Sequence, residues 1–331
     1  MDVTKPKIFI SRKLREDLIL PLYDIAHVEM WDHEEKPCPR DLLLKQAEDC
    51  DALLTMLSDQ IDREVFTRQK RLKVVANLAV GYDNIQVEEA TEHNIAICNT
   101  PEVLTETTAD LTFGLLMATA RRIVEAAEFV KEGKWTGWSP FLLAGADIHH
   151  KTIGIVGMGS IGEAVARRAK GFSMEVLYHN RSRKEEAEKE LGATYCSFDE
   201  LLAHSDFVVC LTPLTEETKH LFNQEAFRKM KKSAIFINAA RGAVVDEEAL
   251  YEALEKKEIQ AAGLDVFTKE PIESTHPFLS LPNVVCIPHI GSASIETREE
   301  MVRLCVDNII RVLSHKEPKT LVNKKWLQTN A

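Results

Sequence analysis

The sequence predicts an α/β protein of two doubly wound parallel-sheet domains, and three observations carry that prediction. Strand-like and helix-like pieces alternate along most of the chain, the pattern that parallel strands with crossover helices produce. A run of β-formers over 151–156 passes directly into Gly157-Met158-Gly159-Ser160-Ile161-Gly162, where a strand turns sharply into a helix. The length, 331 residues, suits two domains of ordinary size, each able to bury its own core.

In the first hundred residues the strand-like runs fall at 8–10, 26–31, 52–57, 74–80 and 95–99, with polar helical stretches between them. Thr100-Pro101 punctuates the chain, because proline restrains the residue before it to an extended conformation. A long helix pattern follows over 103–130, so this point is a candidate hinge. Residues 133–150 are irregular and include Trp135, Trp138 and Pro140. Such a segment packs against its own domain, the more ordinary outcome, or against a partner subunit.

The second series begins with the glycine turn, whose helix presents Ile161, Val165, Ala169 and Phe172 on one face, and continues with strands at 174–178, 207–211, 234–239, 261–266 and 284–287. Ser197 with Glu200 forms a capping-box pattern and Asp246 caps another helix. Over 295–313, Met301, Leu304, Cys305, Ile309 and Val312 form one apolar helix face. That face needs a partner, and the first domain is the expected one.

In the glycine turn, Gly157 permits the tight bend, Gly159 lets a pyrophosphate approach the backbone, and Gly162 lets the helix lie close on the strand. The N-terminus of the helix at Ser160 offers unpaired N–H groups and partial positive charge to phosphates. Where an acidic residue would hold the ribose 2′-hydroxyl of NAD, this chain has Asn180-Arg181-Ser182-Arg183. An Asp would repel a 2′-phosphate, whereas two guanidiniums and a hydroxyl would bind one, which favours NADPH and leaves NADH possible. The same residues also suit the basic start of an exposed helix over 184–191.

Bulk composition narrows the partners. With 45% hydrophobic and 28% charged residues the chain reads as soluble and globular. A net charge of −11 disfavours a nucleic-acid surface, so an anionic substrate requires a local positive site. Seven cysteines are scattered without a Cys-x-x-Cys pair, which reads as reduced core thiols and no metal site. No apolar run reaches membrane-spanning length and the N-terminus lacks an apolar signal segment, so no membrane partner and a cytoplasmic location are expected.

Three residues at the carboxyl ends of strands are candidates for chemistry, since that edge of a doubly wound sheet faces the ligand crevice. Arg241 follows the run Ile235-Phe236-Ile237-Asn238-Ala239-Ala240 and could hold a carboxylate bidentately, although alone it suits a surface ion pair. Glu270 precedes Pro271 and His289 follows Pro288. Singly they suit a turn carboxylate and a satisfied loop histidine. Together they supply a proton donor and a carboxylate that orients it and favours imidazolium.

Val80-Gly81-Tyr82-Asp83-Asn84-Ile85, the glycine turn, Asn238-Ala239-Ala240-Arg241-Gly242, Gly263-Leu264-Asp265-Val266-Phe267 with Glu270-Pro271, and Pro288-His289-Ile290-Gly291 stand in an order and spacing that resemble the D-isomer-specific 2-hydroxyacid dehydrogenases. The resemblance covers essentially the whole chain. Thr105-Glu106-Thr107-Thr108-Ala109-Asp110, His149-His150-Lys151-Thr152 and residues 180–183 further resemble the bacterial glyoxylate/hydroxypyruvate reductases that also reduce 2-ketogluconate. The resemblance implies that Arg241 binds the substrate carboxylate with the backbone N–H groups of Val80 and Gly81, that His289 is the general acid, and that Glu270 is its partner. It implies that Asp265 contacts the nicotinamide amide and that Thr108, Ser160, Ile161, Thr212, Pro213, Thr218 and Ala239 line the cofactor path.

The same resemblance implies a Rossmann cofactor domain, 101–289, inserted into a flavodoxin-like substrate domain formed by 1–100 and 290–331, with a homodimer built on the inserted domain. The implied activity is NADPH-dependent reduction of small 2-keto acids to D-2-hydroxy acids. Asn180 departs from the family's commoner Asp, which puts NAD in doubt as the preferred cofactor. A phosphoglycerate-type dehydrogenase and a dinucleotide-sensing corepressor-like protein are the alternatives on the same fold; the former often carry a C-terminal regulatory domain, while this chain ends at Ala331.

Overall fold

The computed structural model describes residues 5–330. The first sheet is built from β1 (Lys7–Ile10), β2 (His27–Met30), β3 (Ala52–Thr55), β4 (Val74–Asn77) and β5 (Ala96–Cys98). Its order is β2-β1-β3-β4-β5 and every ladder is parallel. β3 and β4 are buried along their whole length, which is why Ala-Leu-Leu-Thr and Val-Val-Ala-Asn read as continuous runs and not as an alternation. The order reverses at β1 and β3, the switch point of a flavodoxin-like sheet.

The helix Ile295–Leu313 starts at Ser294, whose hydroxyl accepts the Thr297 N–H. Its buried face, with Met301, Cys305, Ile309 and Val312, packs on the helix Glu16–Ile25 and on β4. The expected partner of that face is therefore the first sheet. By contacts the chain forms one unit extending to Leu104 and resuming at Ser294, and a second from Thr105 to Ala293. These crossing points lie four residues beyond the 100/101 and 289/290 divisions expected from the sequence.

The second unit holds β6 (Thr152–Val156), β7 (Glu175–His179), β8 (Thr194–Tyr195), β9 (Phe207–Cys210), β10 (Ile235–Asn238), β11 (Ala261–Leu264) and β12 (Val284–Cys286). All pairs are parallel, in the order β8-β7-β6-β9-β10-β11-β12. The two-residue period of a strand divides the core into layers. Ile235 and Ile237 face Phe113, Leu116 and Val165 in one layer, while Phe236 faces Phe222, Phe227 and Leu250 in the other. The order reverses between β6 and β9, so the glycine turn after β6 lies at the topological switch point.

Two expectations fail locally. The helix pattern over 103–130 forms two helices, Thr105–Ala120 and Ile123–Lys131, because Arg122 adopts a left-handed conformation (φ 53°) and pairs bidentately with Glu125 at 2.7 and 2.8 Å. No Gly or Pro marks that break. β8 has only two residues, too few to leave a periodic signal. In the segment expected to pack against a surface, Trp138 and Phe141 are 83% and 86% exposed, so they do not join their own unit's core. No described helix is long and apolar enough to cross a membrane.

Candidate active site

The glycine turn has the geometry its residues require. Gly157 has φ 105°, and a Cβ there would come 2.6 Å from the backbone of Leu211 and Thr212 at the end of β9. A Cβ at Gly162 would collide with the carbonyl of Gly157. Gly159, by contrast, has nothing within 4 Å of that position and is followed by the exposed Ser160 and half-buried Ile161, which begin the helix Ser160–Gly171. Close packing at 157 and 162 with open space at 159 fits a pyrophosphate against the first-turn N–H groups.

Asn180 has a structural task that the sequence did not reveal. Its side chain accepts the Met158 N–H at 2.7 Å and donates to the Met158 carbonyl at 3.1 Å, stapling the glycine turn to the end of β7. Arg183 binds Glu188 at 2.6 and 3.0 Å, with its guanidinium 5.8 Å from the Tyr195 ring centroid. Arg181 is 85% exposed and only loosely paired, 3.7 Å from Glu217. Ser182 is exposed beside it. The two arginines thus differ: one is engaged within its helix start and the other reaches into solvent. Along the neighbouring strand ends, the Thr218 hydroxyl donates to the Pro213 carbonyl at 2.6 Å and shapes the loop after Thr212.

Arg241 leaves the end of β10 beyond Ala239. Asn238, 1% exposed, accepts the Ala240 N–H at 3.1 Å and donates to the Arg241 carbonyl at 3.0 Å, so one buried amide fixes the turn that carries the guanidinium. Gly242 then brings this turn against the Phe267–Thr268 peptide, with no room for a Cβ. That approach places the turn beside the loop that bears Glu270.

Glu270 Oε2 lies 2.6 Å from His289 Nδ1, and Oε1 accepts the Phe267 N–H at 2.9 Å. Burial works to raise the Glu270 carboxyl, but the hydrogen bond and charge of His289, the Phe267 N–H and the Arg241 guanidinium hold it below the ordinary range. His289 itself is left-handed, φ 52°, and is clamped there by its own N–H to the Asp265 carbonyl at 2.8 Å and by Ile290 N–H to Asp265 Oδ1 at 2.7 Å. Burial pushes Asp265 up to about 6, against the opposing pull of the Ile290 N–H, His289 and the Gly291 N–H. Thr108 on the helix Thr105–Ala120 approaches Gly291 from the other side.

Arg241, Glu270, His289 and Asp265 therefore gather at the carboxyl ends of β10, β11 and β12. Val80 and Gly81 lie in the first unit, just after β4. Sequence reasoning missed Asn238 and, in the first unit, Asn77, Asn84 and Asn99. Their common signal is an Asn at or just beyond the end of an apolar run, or in the adjoining turn. Among the described residues no group of three or more His, Cys, Asp or Glu is placed to hold a metal. Burial pushes the thiols of Cys50, Cys98 and Cys210 up to about 12.

A doubly wound sheet with a glycine turn at its switch point, and a paired His and carboxylate nearby, defines the class of NAD(P)-dependent oxidoreductases. Residues 113–291 match the model of the D-isomer specific 2-hydroxyacid dehydrogenase NAD binding domain. The chain is 53% identical over 325 residues to the glyoxylate reductase of Thermococcus kodakarensis, covering 97% of each chain. It is 51% identical over 328 residues to that of Pyrococcus horikoshii, covering 98% of each. Among solved structures, it resembles the NADPH-dependent glyoxylate/hydroxypyruvate reductase of Sinorhizobium meliloti in complex with NADP and malonate, at 31% identity and TM-score 0.87, covering 97% of this chain and 98% of that one. A Thermus thermophilus protein matches at 44% identity and TM-score 0.90, covering 96% of this chain and 99% of that one. The chain belongs to the D-isomer specific 2-hydroxyacid dehydrogenase family.

Proposed function

We propose that this enzyme reduces glyoxylate, with hydroxypyruvate and 2-keto-D-gluconate as further substrates, to the corresponding 2-hydroxy acids, using NADPH in preference to NADH. The observation that carries the reading is the Glu270–His289 pair beside Arg241. A reduced nicotinamide, when bound, supplies the hydride to the keto carbon. The remaining work falls to side chains. Arg241 takes the carboxylate and draws charge from the adjacent carbonyl, and in the first unit the Val80 and Gly81 N–H groups are the donors that the family resemblance assigns to a substrate carboxylate. Glu270 engages Nδ1 of His289, which leaves Nε2 to give its proton to the carbonyl oxygen as negative charge develops there. Asp265 anchors the His289 backbone and serves the nicotinamide amide. Ser160, Ile161, Thr212, Pro213, Thr218 and Ala239 line the cofactor's course, with Arg181 and Ser182 meeting the 2′-phosphate.

Initial rates of NADPH oxidation with glyoxylate, hydroxypyruvate, pyruvate and 2-ketogluconate test the substrate reading, and no turnover with any of them overturns it. Arg241→Lys keeps the charge without the planar fork, so its cost belongs mainly in KM. A homodimer formed through the second unit completes the proposal. Its support is the exposed Trp135, Trp138 and Phe141 of that unit, three large apolar side chains left to solvent within one short segment. Light scattering should give a particle of twice the chain mass, reduced to the chain mass by Trp138→Ser with Phe141→Ser.

A further inference from the structure

The segment after β4 carries two successive N–H groups, Val80 and Gly81, that no hydrogen bond among the described residues uses. Their carbonyl neighbours are both engaged. The Ala79 carbonyl accepts the Thr100 N–H at 2.8 Å, and the Val80 carbonyl accepts the Asn99 side-chain amide at 2.8 Å. In a trans peptide the N–H points opposite to the C=O. Two consecutive carbonyls turned toward residues 99 and 100 therefore turn the N–H groups of Val80 and Gly81 away from them, to a common side. Such a pair of aligned N–H groups forms an anion-binding concavity.

We propose that Asn99 is a positioning residue for the substrate carboxylate, acting through the Val80–Gly81 peptide that its side chain holds. This rests on the reading that a 2-keto acid is the substrate. Thr100 donates through its backbone, which any residue supplies, whereas the Val80 carbonyl depends on a side chain. Asn99 is 9% exposed and is itself held, because its carbonyl accepts the Thr320 hydroxyl at 2.7 Å. Thr320 takes the side-chain N–H of Asn308, at 2.7 Å, from the fully buried face of the helix Ile295–Leu313. From the opposite flank, Asn77 donates to the Gly81 carbonyl at 3.1 Å and to Asn84 at 3.2 Å. Asn84 ties the loop after β3 through the Met56 and Asp59 carbonyls at 3.2 and 2.8 Å. The chain's return to the first unit thus ends in a network that fixes one peptide plane.

Asn99→Ala removes the only side-chain donor to the Val80 carbonyl among the described hydrogen bonds and frees that peptide to rotate. With the wild type turning over glyoxylate, the variant should show KM for glyoxylate and Kd for oxalate each raised about tenfold, with kcat within about twofold and NADPH affinity unchanged. Turnover of methylglyoxal, a carbonyl compound without a carboxylate, should keep its wild-type kcat/KM. A loss shared equally by both substrates, or an unchanged Kd for oxalate, overturns the positioning role. Absence of glyoxylate turnover in the wild type instead overturns the substrate reading. A second measurement needs no variant: in glycine-15N-labelled wild type, the Gly81 amide resonance should move downfield on saturation with oxalate, and an unmoved resonance overturns the proposal.

Discussion

Glu270 Oε2 and His289 Nδ1 are 2.6 Å apart, and the second Glu270 oxygen is already taken by the Phe267 N–H, so the carboxylate holds the ring in one orientation. Because His289 and Arg241 lower the Glu270 carboxyl against the effect of its burial, it is ionised throughout the neutral range and stays a hydrogen-bond acceptor for the ring. Glu270→Gln removes the carboxylate that holds the ring, so it should lower kcat about tenfold or more while leaving NADPH affinity unchanged. His289→Ala should lose about a hundred- to ten-thousandfold in turnover while still binding NADPH. An unchanged kcat in Glu270→Gln would refute the orienting role of the carboxylate.

The two arginines after β7 should separate in cofactor titrations. Arg181 is free to close on a 2′-phosphate, whereas Arg183 must first be drawn from Glu188. A charge-assisted hydrogen bond contributes roughly 1.5 to 3 kcal/mol, so Arg181→Ala should weaken NADPH about ten- to a hundredfold and spare NADH. Arg183→Ala should cost less. Asn180→Asp should also penalise NADPH, since it adds a negative charge and removes the donor to the Met158 carbonyl. Equal losses with the two cofactors for Arg181→Ala would exclude a 2′-phosphate contact.

Asp265 gives a pH test of stability in the cofactor-free protein. Its folded value, about 6, lies above the ordinary carboxyl value of 3.8, so the unfolded chain releases the proton first as pH rises. Between those two values wild type therefore loses stability, on the order of 2 to 3 kcal/mol in all. Asp265→Asn cannot titrate. Thermal melting of both proteins from pH 4 to 7 should show wild type falling relative to the variant across that window, and parallel melting curves would contradict it.

Much of this architecture is legible because buried parallel strands impose continuous apolar runs, and because the glycine turn demands residues without side chains at fixed spacing. The helix Ile295–Leu313 is legible in the apolar spacing over 295–313, and its return to the first sheet in the unpartnered face. What the sequence conceals is the identity of polar partners. Asn180 looked like an altered ribose contact, yet its side chain also staples Met158. Arg181 and Arg183 are alike in sequence and differ only because Glu188 lies within reach of one. Asn238 and Asn99 hold the Arg241 and Val80 carbonyls, one across a turn and the other between neighbouring segments, and no local periodicity reports such bonds. The break at Arg122 escaped for the same reason, since an Arg–Glu pair and not a glycine stabilises the left-handed residue there.

Gly242 joins the Arg241 turn to the loop that bears Glu270, and its substitution should separate cofactor binding from turnover. A Cβ at this position meets the Phe267–Thr268 backbone, which has no flexible side-chain end to yield. Overpacking of this kind costs about 1 to 3 kcal/mol when the structure can adjust, and here the adjustment must move either Arg241 or the Phe267 N–H that holds Glu270. Gly242→Ala should therefore melt several degrees lower and lose at least about tenfold in kcat/KM for glyoxylate. The glycine turn at Gly157 lies on β6 and touches the end of β9, not the Gly242 turn, so NADPH affinity should stay near wild type. Gly157→Ala is the converse: with φ 105° and Leu211 and Thr212 in the way, it should lose cofactor binding first. Isothermal titration with NADPH alongside steady-state rates separates the two variants, and loss of NADPH affinity in Gly242→Ala would show that the two turns are not independent.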